Sequence, residues 1–145
     1  MPTGQRTDPF RGYNFKVEID GVARNGFREC SGLDATSDPI DYREGTDKAY
    51  TARKLPGLVK YSNITLKWGA TDDTSLWDWR KGVIEGKAKC CSGSIVLMNE
   101  AGDEKLRWNF VNGWPSKWTG PSLNATGNEI AIETLEITHE GVMKA

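Results

Sequence analysis

Few residues in this chain could carry covalent or metal chemistry. The one histidine is His139, so any Ser-His-Asp or Cys-His scheme has to pass through that imidazole. No spacing places Cys30 or Cys90 beside it, and His139 reads as an exposed histidine at the end of a strand. A metal site would draw on Cys30, Cys90, Cys91 and His139, but the adjacent Cys90-Cys91 lacks the two-residue gap of a zinc knuckle. Three cysteines, two of them neighbours, also make a poor disulfide framework, and all three read as reduced thiols. Asp72-Asp73 suits the start of a helix better than an acid/base pair. Neither G-x-G-x-x-G nor P-loop spacing occurs. The expectation is a protein with no catalytic residue, no cofactor and no metal: not an enzyme.

What remains is the chemistry of contact. Six tryptophans, Trp68, Trp77, Trp79, Trp108, Trp114 and Trp118, would permit a carbohydrate-binding β-domain that stacks sugars on exposed rings. Yet Trp68 and Trp108 keep phase with the apolar residues of their strands, and Trp79 with Leu76 and Val83, which favours core or subunit contacts. The stretch Gly45–Gly57, GTDKAYTARKLPG, has neither a helical nor a strand period. It is expected to be a long loop, and loops of that length in compact domains are usually functional or disordered. Asp47, Lys48, Tyr50, Arg53, Lys54 and Leu55 are its candidate contact residues.

These residues have to be positioned by a β-rich frame. Tyr13–Asp20 alternates apolar and polar residues, the pattern of a half-buried strand. Asp20-Gly21 then predicts a hairpin into a second strand over Ala23–Cys30. A third strand is expected over Ile40–Glu44, introduced by Pro39, and a fourth over Leu58–Trp68. The one helix is expected over Thr74–Glu85, with Leu76, Trp79 and Val83 on one face and Gly86 at its stop. Strands follow over Ser94–Met98 and Lys105–Val111, joined by a turn at Asn99–Asp103. A separate extended segment is expected over Trp114–Trp118, and a last strand over Asn128–His139. In that strand the apolar phase shifts between Ile132 and Leu135, which predicts a β-bulge near Glu133 or Thr134. The fold class is mainly β: two packed antiparallel sheets forming a β-barrel, with one α-helix over about residues 74–85.

Composition sets the outer limits. The 145 residues suit a single domain, 1–145, with an extended loop at 45–57. Leu, Ile, Val and Phe make up only 28 residues, but the formal net charge of -1 argues for a folded, polar domain rather than disorder. Near neutrality also argues against a phosphate-tracking surface. No apolar run could span a bilayer, and the N-terminal residues lack the apolar core of a signal peptide. Synthesis in a cytoplasm and no direct membrane insertion are expected.

A series of segments gives a sharper reading. They run from Phe15-Lys16-Val17-Glu18-Ile19, Glu29-Cys30-Ser31-Gly32-Leu33 and Tyr42-Arg43-Glu44-Gly45 to Arg53-Lys54-Leu55-Pro56-Gly57-Leu58 and Asn63-Ile64-Thr65-Leu66-Lys67. They continue through Leu76-Trp77-Asp78-Trp79, Gly93-Ser94-Ile95, Trp108-Asn109-Phe110 and Asn112-Gly113-Trp114-Pro115-Ser116-Lys117. Asn128-Glu129-Ile130-Ala131-Ile132-Glu133, Leu135-Glu136-Ile137 and His139-Glu140-Gly141 close the run. In that order, over nearly the whole chain, they resemble the tail tube protein family of contractile phages with T4-like tails and of extracellular contractile injection systems. The Cys90-Cys91 pair is not part of that pattern.

The resemblance implies a fold related to the haemolysin-coregulated protein of type VI secretion. It implies homo-hexameric rings that stack into a hollow inner tube, inside a contractile sheath, with baseplate, spike and terminator proteins at the ends. DNA or effector cargo would pass through the lumen. The particle is a virion tail or an injection system that can be released from the cell. The type VI tube protein itself is the alternative in the same class. Within this picture the 45–57 loop is expected to carry the stacking of one ring on the next, with Lys48, Arg53 and Lys54 meeting carboxylates across the junction.

Overall fold

The computed structural model describes residues 8–20 and 26–145. In chain order the described elements are β1 (Phe15–Ile19), β2 (Glu29–Ser31), β3 (Ala35–Tyr42), β4 (Arg53–Tyr61) and β5 (Ile64–Gly69). Then come α1 (Ser75–Ile84), β6 (Cys91–Met98), β7 (Glu104–Thr119), β8 (Ile132–Thr138) and β9 (Gly141–Lys144). The fold is mainly β with one helix, as the sequence predicts.

The longest strand organises the rest. Asn112-Gly113 reads as a turn in sequence, yet β7 runs straight through it. Asn112 takes a left-handed conformation, φ 51°, which Asn tolerates better than most residues. Gly113 is required because a Cβ there would lie 2.7 Å from the Phe110 ring. The strand therefore bends instead of ending, and its two halves serve two layers. The first half pairs with β6 on one edge and β9 on the other; the second half pairs with β8.

The result is one antiparallel path, β1-β6-β7-β8-β5-β2, with β9 beside β7. Its two halves pack face to face. Val17, Ile19, Ile95 and Phe110 of one half form a single core with Ile64, Leu66, Trp68, Leu135 and Ile137 of the other. The terminal strands β1 and β2 do not pair with each other, so the sheet is not a closed barrel.

The helix starts and stops on identifiable side chains. Asp73 accepts hydrogen bonds from the Ser75 amide at 2.9 Å and its hydroxyl at 2.8 Å. Gly86, at φ +79°, ends the helix. Leu76 and Trp79 face the core, and the Trp79 indole donates to the Lys89 carbonyl at 2.9 Å.

Several expectations are corrected. Among the described residues β1 and β2 do not pair with each other: β1 pairs with β6 and β2 with β5. Gly21 of the expected hairpin turn, and residues 23–25 of the expected second strand, lie outside the described residues. The stretch Leu58–Trp68 is split between β4 and β5 at Ser62-Asn63. No bulge occurs near Glu133 or Thr134, since β8 pairs with β5 in unbroken register. The apolar phase shifts because Ile130 precedes the strand and is 74% exposed. Glu133 takes the inward position, where its carboxylate accepts the Trp68 indole N–H at 3.0 Å. The irregularity lies instead on β7, between Pro115 and Lys117. Gly45–Gly57 is not a loop throughout: Arg53–Gly57 belong to β4.

Candidate functional site

β3 and β4 form a sheet of their own, a two-stranded ribbon that packs on no other strand or helix to any extent. Ser37 pairs with Val59 and Pro39 with Pro56, so two residues of β4 oppose one of β3 in a bulge. Gly57 makes this possible, because a Cβ there would lie 2.3 Å from the Asp38 carbonyl oxygen. Proline in each strand fits a ribbon with open edges.

Beyond the bulge the ribbon is two-faced. Ile40 opposes Leu55 and Tyr42 opposes Arg53 on one side; Asp41 opposes Lys54 on the other. Ile40, Tyr42 and Leu55 are 52%, 45% and 44% exposed, and Leu58 and Val59 at the bulge are exposed as well. Isolated two-stranded ribbons are marginal in water, and this one leaves its apolar face uncovered by its own chain.

The tip, residues 43–52, is ordered by its own polar groups. Arg53 donates to the Asp47 carboxylate at 2.8 Å, and that carboxylate also accepts the Glu44 amide at 3.0 Å. Arg43 donates to the Ala49 carbonyl at 3.0 Å and lies 5.8 Å from the Tyr50 ring centroid. Tyr50 is the most exposed large apolar residue, at 95%. Lys54 pairs with Asp41 and Lys60 with Asp38 at 3.1 Å. Of the six predicted contact residues, Asp47, Lys48 and Tyr50 thus sit at the tip, while Arg53, Lys54 and Leu55 sit on β4. Arg53 and Lys54 already have carboxylate partners within the chain. Sequence reading missed Ile40, Tyr42, Leu58 and Val59; the prolines at 39 and 56 were the available signal.

The ribbon's root is clamped by the chain's histidine. His139 is half-buried, not exposed as expected. It sits at the bend between β8 and β9, its ring centroid 5.8 Å from Tyr61 at the end of β4 and 6.2 Å from Phe110. With Nε2–H donating to the Ser62 carbonyl at 3.0 Å, Nδ1 is buried without a hydrogen-bond partner. An imidazole so placed joins ribbon to body.

Elsewhere several surface charges form ion pairs. On the open face of β1, β6 and β7, Lys16 pairs with Glu18, and Arg107 with both Glu18 and Glu104 at 3.1 and 2.6 Å. Hydrogen bonds from Lys16 and then Arg107 hold the Glu18 carboxyl below the usual carboxylate range, and Arg107 does the same to Glu104. The Arg107 guanidinium is held charged in return, chiefly by Glu104. Val96, on the same face by register, is fully covered. Lys117–Glu136 and Lys67–Glu29 continue the pattern on the other half.

Tryptophans mostly serve packing: Trp68 stacks edge-on with Phe27 and Trp118, and Trp118 with Trp77. Of the six tryptophans only Trp77 counts among the exposed large apolar residues, so the tryptophans form no exposed stacking platform. The cysteines are free thiols: Cys90 exposed, Cys91 buried and Cys30 half-buried. Burial pushes the Cys30 thiol up to about 12.

The geometry is thus that of a contact surface, and comparison with known proteins points the same way. The family described as T4-like virus tail tube protein gp19 matches residues 11–143. A chain of the PVC extracellular contractile injection system, solved in its extended-state sheath–tube complex, is 31% identical. It covers 94% of this chain and 91% of its own, with a TM-score of 0.83. A chain in the tube-terminating cap of the anti-feeding prophage is 30% identical over 97% and 93% of the two chains, with a TM-score of 0.85. Hcp1 from Flavobacterium johnsoniae shares the fold at 13% identity, covering 89% and 94%, with a TM-score of 0.53. No curated protein matches the chain.

Proposed function

The chain belongs to the T4-like virus tail tube protein family, and from that membership we propose that its copies close into hexameric rings that stack into the hollow inner tube of a contractile, phage-tail-like particle. The observation that carries this reading is the β3–β4 ribbon, an amphipathic arm with no cover from its own chain. Supporting it, among the described residues the layer β1-β6-β7-β9 ends in two unpaired edges, β1 and β9. Open edges are aggregation hazards unless something pairs with them. Pairing one edge with the opposite edge of the next copy is a heterologous contact, which closes into a ring when its rotation permits.

Within this reading the ribbon carries ring-to-ring contact. Leu55 and its neighbours on the apolar face supply the adhesion. Asp47, Lys48, Tyr50 and the Arg53 and Lys54 ion pairs set its register. Exposed ion pairs contribute only about 0–1 kcal/mol each, so the apolar face dominates. A contractile sheath around the tube, a terminator at its end, a baseplate below it and cargo in its lumen are the partners such a tube requires. An extracellular particle is its setting, as for the PVC extracellular contractile injection system. The role is mechanical and calls for no active site. The likeness to Hcp1 is one of fold, so the type VI tube is the less favoured reading.

Light scattering over a concentration series, with negative-stain images of the same samples, tests the proposal. Hollow rings or tubes are expected. A protein that stays monomeric at high concentration, with no filaments on grids, would falsify it.

A further inference from the structure

The layer β1-β6-β7-β9 has one face against the core and one face bare. By register, Lys16, Val96 and Arg107 stand in one row of the bare face, and Glu18, Ser94 and Asn109 in the next. The other face carries β8, β5 and β2 as a second layer. When copies pair edge to edge into a ring, the inner circumference is the shorter. The second layer therefore turns outward and the bare face turns to the axis. Strands about 4.8 Å apart and tilted about 40°, with four from each of six copies, close a wall roughly 48 Å across at the backbone. We propose that this bare face is the wall that meets the cargo, and that the cargo it fits is a folded polypeptide of mixed charge, not duplex nucleic acid. The inference rests on the tube reading and names the class of molecule the tube carries.

Two observations carry it. First, the polar groups of this face are already engaged with one another. Lys16 pairs with Glu18 at 3.1 Å, and Arg107 with Glu18 at 3.1 Å and Glu104 at 2.6 Å. The Ser94 hydroxyl donates to the Asn109 side-chain oxygen at 2.6 Å, and Val96, in register between Lys16 and Arg107, is fully covered. A duplex is held by free cations that replace its counterions, and neither Lys16 nor Arg107 is free to do so. Second, the signs balance. Lys16, Arg107 and Lys105, two residues before it, are matched by Glu18, Glu104 and, one residue past β1, Asp20. Such a wall sets up no field of one sign along the bore to draw in or repel a polyelectrolyte. A folded protein intersperses both signs on its surface, and exposed ion pairs exchange at little cost. A cargo of that kind makes weak contacts throughout its passage and is held at none of them.

The test assembles tubes of the full chain with equal concentrations of two fluorescent probes, ubiquitin and a short DNA duplex, at physiological salt. The tubes are sedimented and washed, and probe added only after assembly gives the outside binding to subtract. At least about tenfold more ubiquitin than duplex is expected inside; equal or greater retention of the duplex overturns the cargo class. The wall is located separately with Ser94→Cys in a Cys90→Ser background. In tubes this thiol should react with a small maleimide and not with a maleimide carried on a dextran wider than the bore. Labelling by both places the face outside and overturns the proposal while the tube reading stands. Arg107→Gln removes the cation shared by Glu18 and Glu104, so tubes of that variant should retain at least about fivefold more lysozyme, a basic probe, with ubiquitin unchanged. Unchanged retention of lysozyme overturns the assignment of the wall's charge balance to this cluster. If the unmodified chain forms no tubes, the tube reading fails instead, an outcome distinct from any pattern of probe retention.

Discussion

Replacing both members of the Ile40–Leu55 pair, Ile40→Asp with Leu55→Asp, should separate assembly from folding. Each side chain is about half exposed in the subunit, at 52% and 44%. Full burial of such a side chain contributes roughly 1.5–3 kcal/mol, so covering the exposed half contributes about 1 kcal/mol per residue. Losing both removes about 2 kcal/mol from each ribbon contact, before the cost of desolvating two carboxylates is added. That corresponds to a rise of about thirtyfold in the critical concentration for assembly. The subunit itself should lose only the cross-strand contact, about 0.2–1 kcal/mol, because the ribbon packs on no other element to any extent. Sedimentation of assembled protein over a concentration series reads the first quantity, and urea denaturation of the subunit reads the second. A critical concentration within about threefold of the unmodified protein's would show that the apolar face is not the adhesive. Charge reversal of Arg53 and Lys54 should do less, since both cations are already paired within the chain.

Three further outcomes follow from other contacts. Gly57→Ala puts a Cβ 2.3 Å from the Asp38 carbonyl oxygen, so tubes should be lost while near-ultraviolet circular dichroism of the core is kept; normal tube formation would show that the bulge can relax. Thiol labelling at about pH 8 should modify Cys90 quickly and leave Cys30 largely intact, because a thiol held far above its ordinary pKa has almost no thiolate. For Cys30 the folded state holds its proton more tightly, so its contribution to stability declines as pH rises between 9.0 and about 12; rapid labelling of Cys30 in the folded subunit would contradict its burial. Glu18 and Glu104 have depressed folded pKa values. Their contribution is therefore present above the ordinary carboxylate value near 4.5 and is lost as pH falls through the depressed values. Arg107→Ala should flatten that acid limb of the stability profile, and an unchanged limb would show the cluster to be energetically silent.

The parts of the fold visible in the sequence are those with one wet and one dry face. β1 alternates because Val17 and Ile19 are buried while Lys16 and Glu18 face water, and the helix is legible from Leu76 and Trp79 for the same reason. Arg53–Gly57 of β4 reads as loop because both faces of the ribbon are exposed in the subunit, which erases the period that burial imposes. The continuity of β7 was hidden because Asn112-Gly113 serves a bend with the same chemistry that serves a turn. His139 reads as an exposed strand end because its neighbours Tyr61 and Phe110 are remote in sequence and reach its ring only in the folded chain.

That root also defines a path for load. In the proposed tube, a load received at residues 43–52 would travel down both strands of the ribbon towards its root. It leaves the ribbon at Tyr61, crosses the His139 imidazole and reaches Phe110, which stands on the one strand common to both layers. If the ribbon bears on the next ring as proposed, this aromatic joint would share the load between the two halves of the sheet.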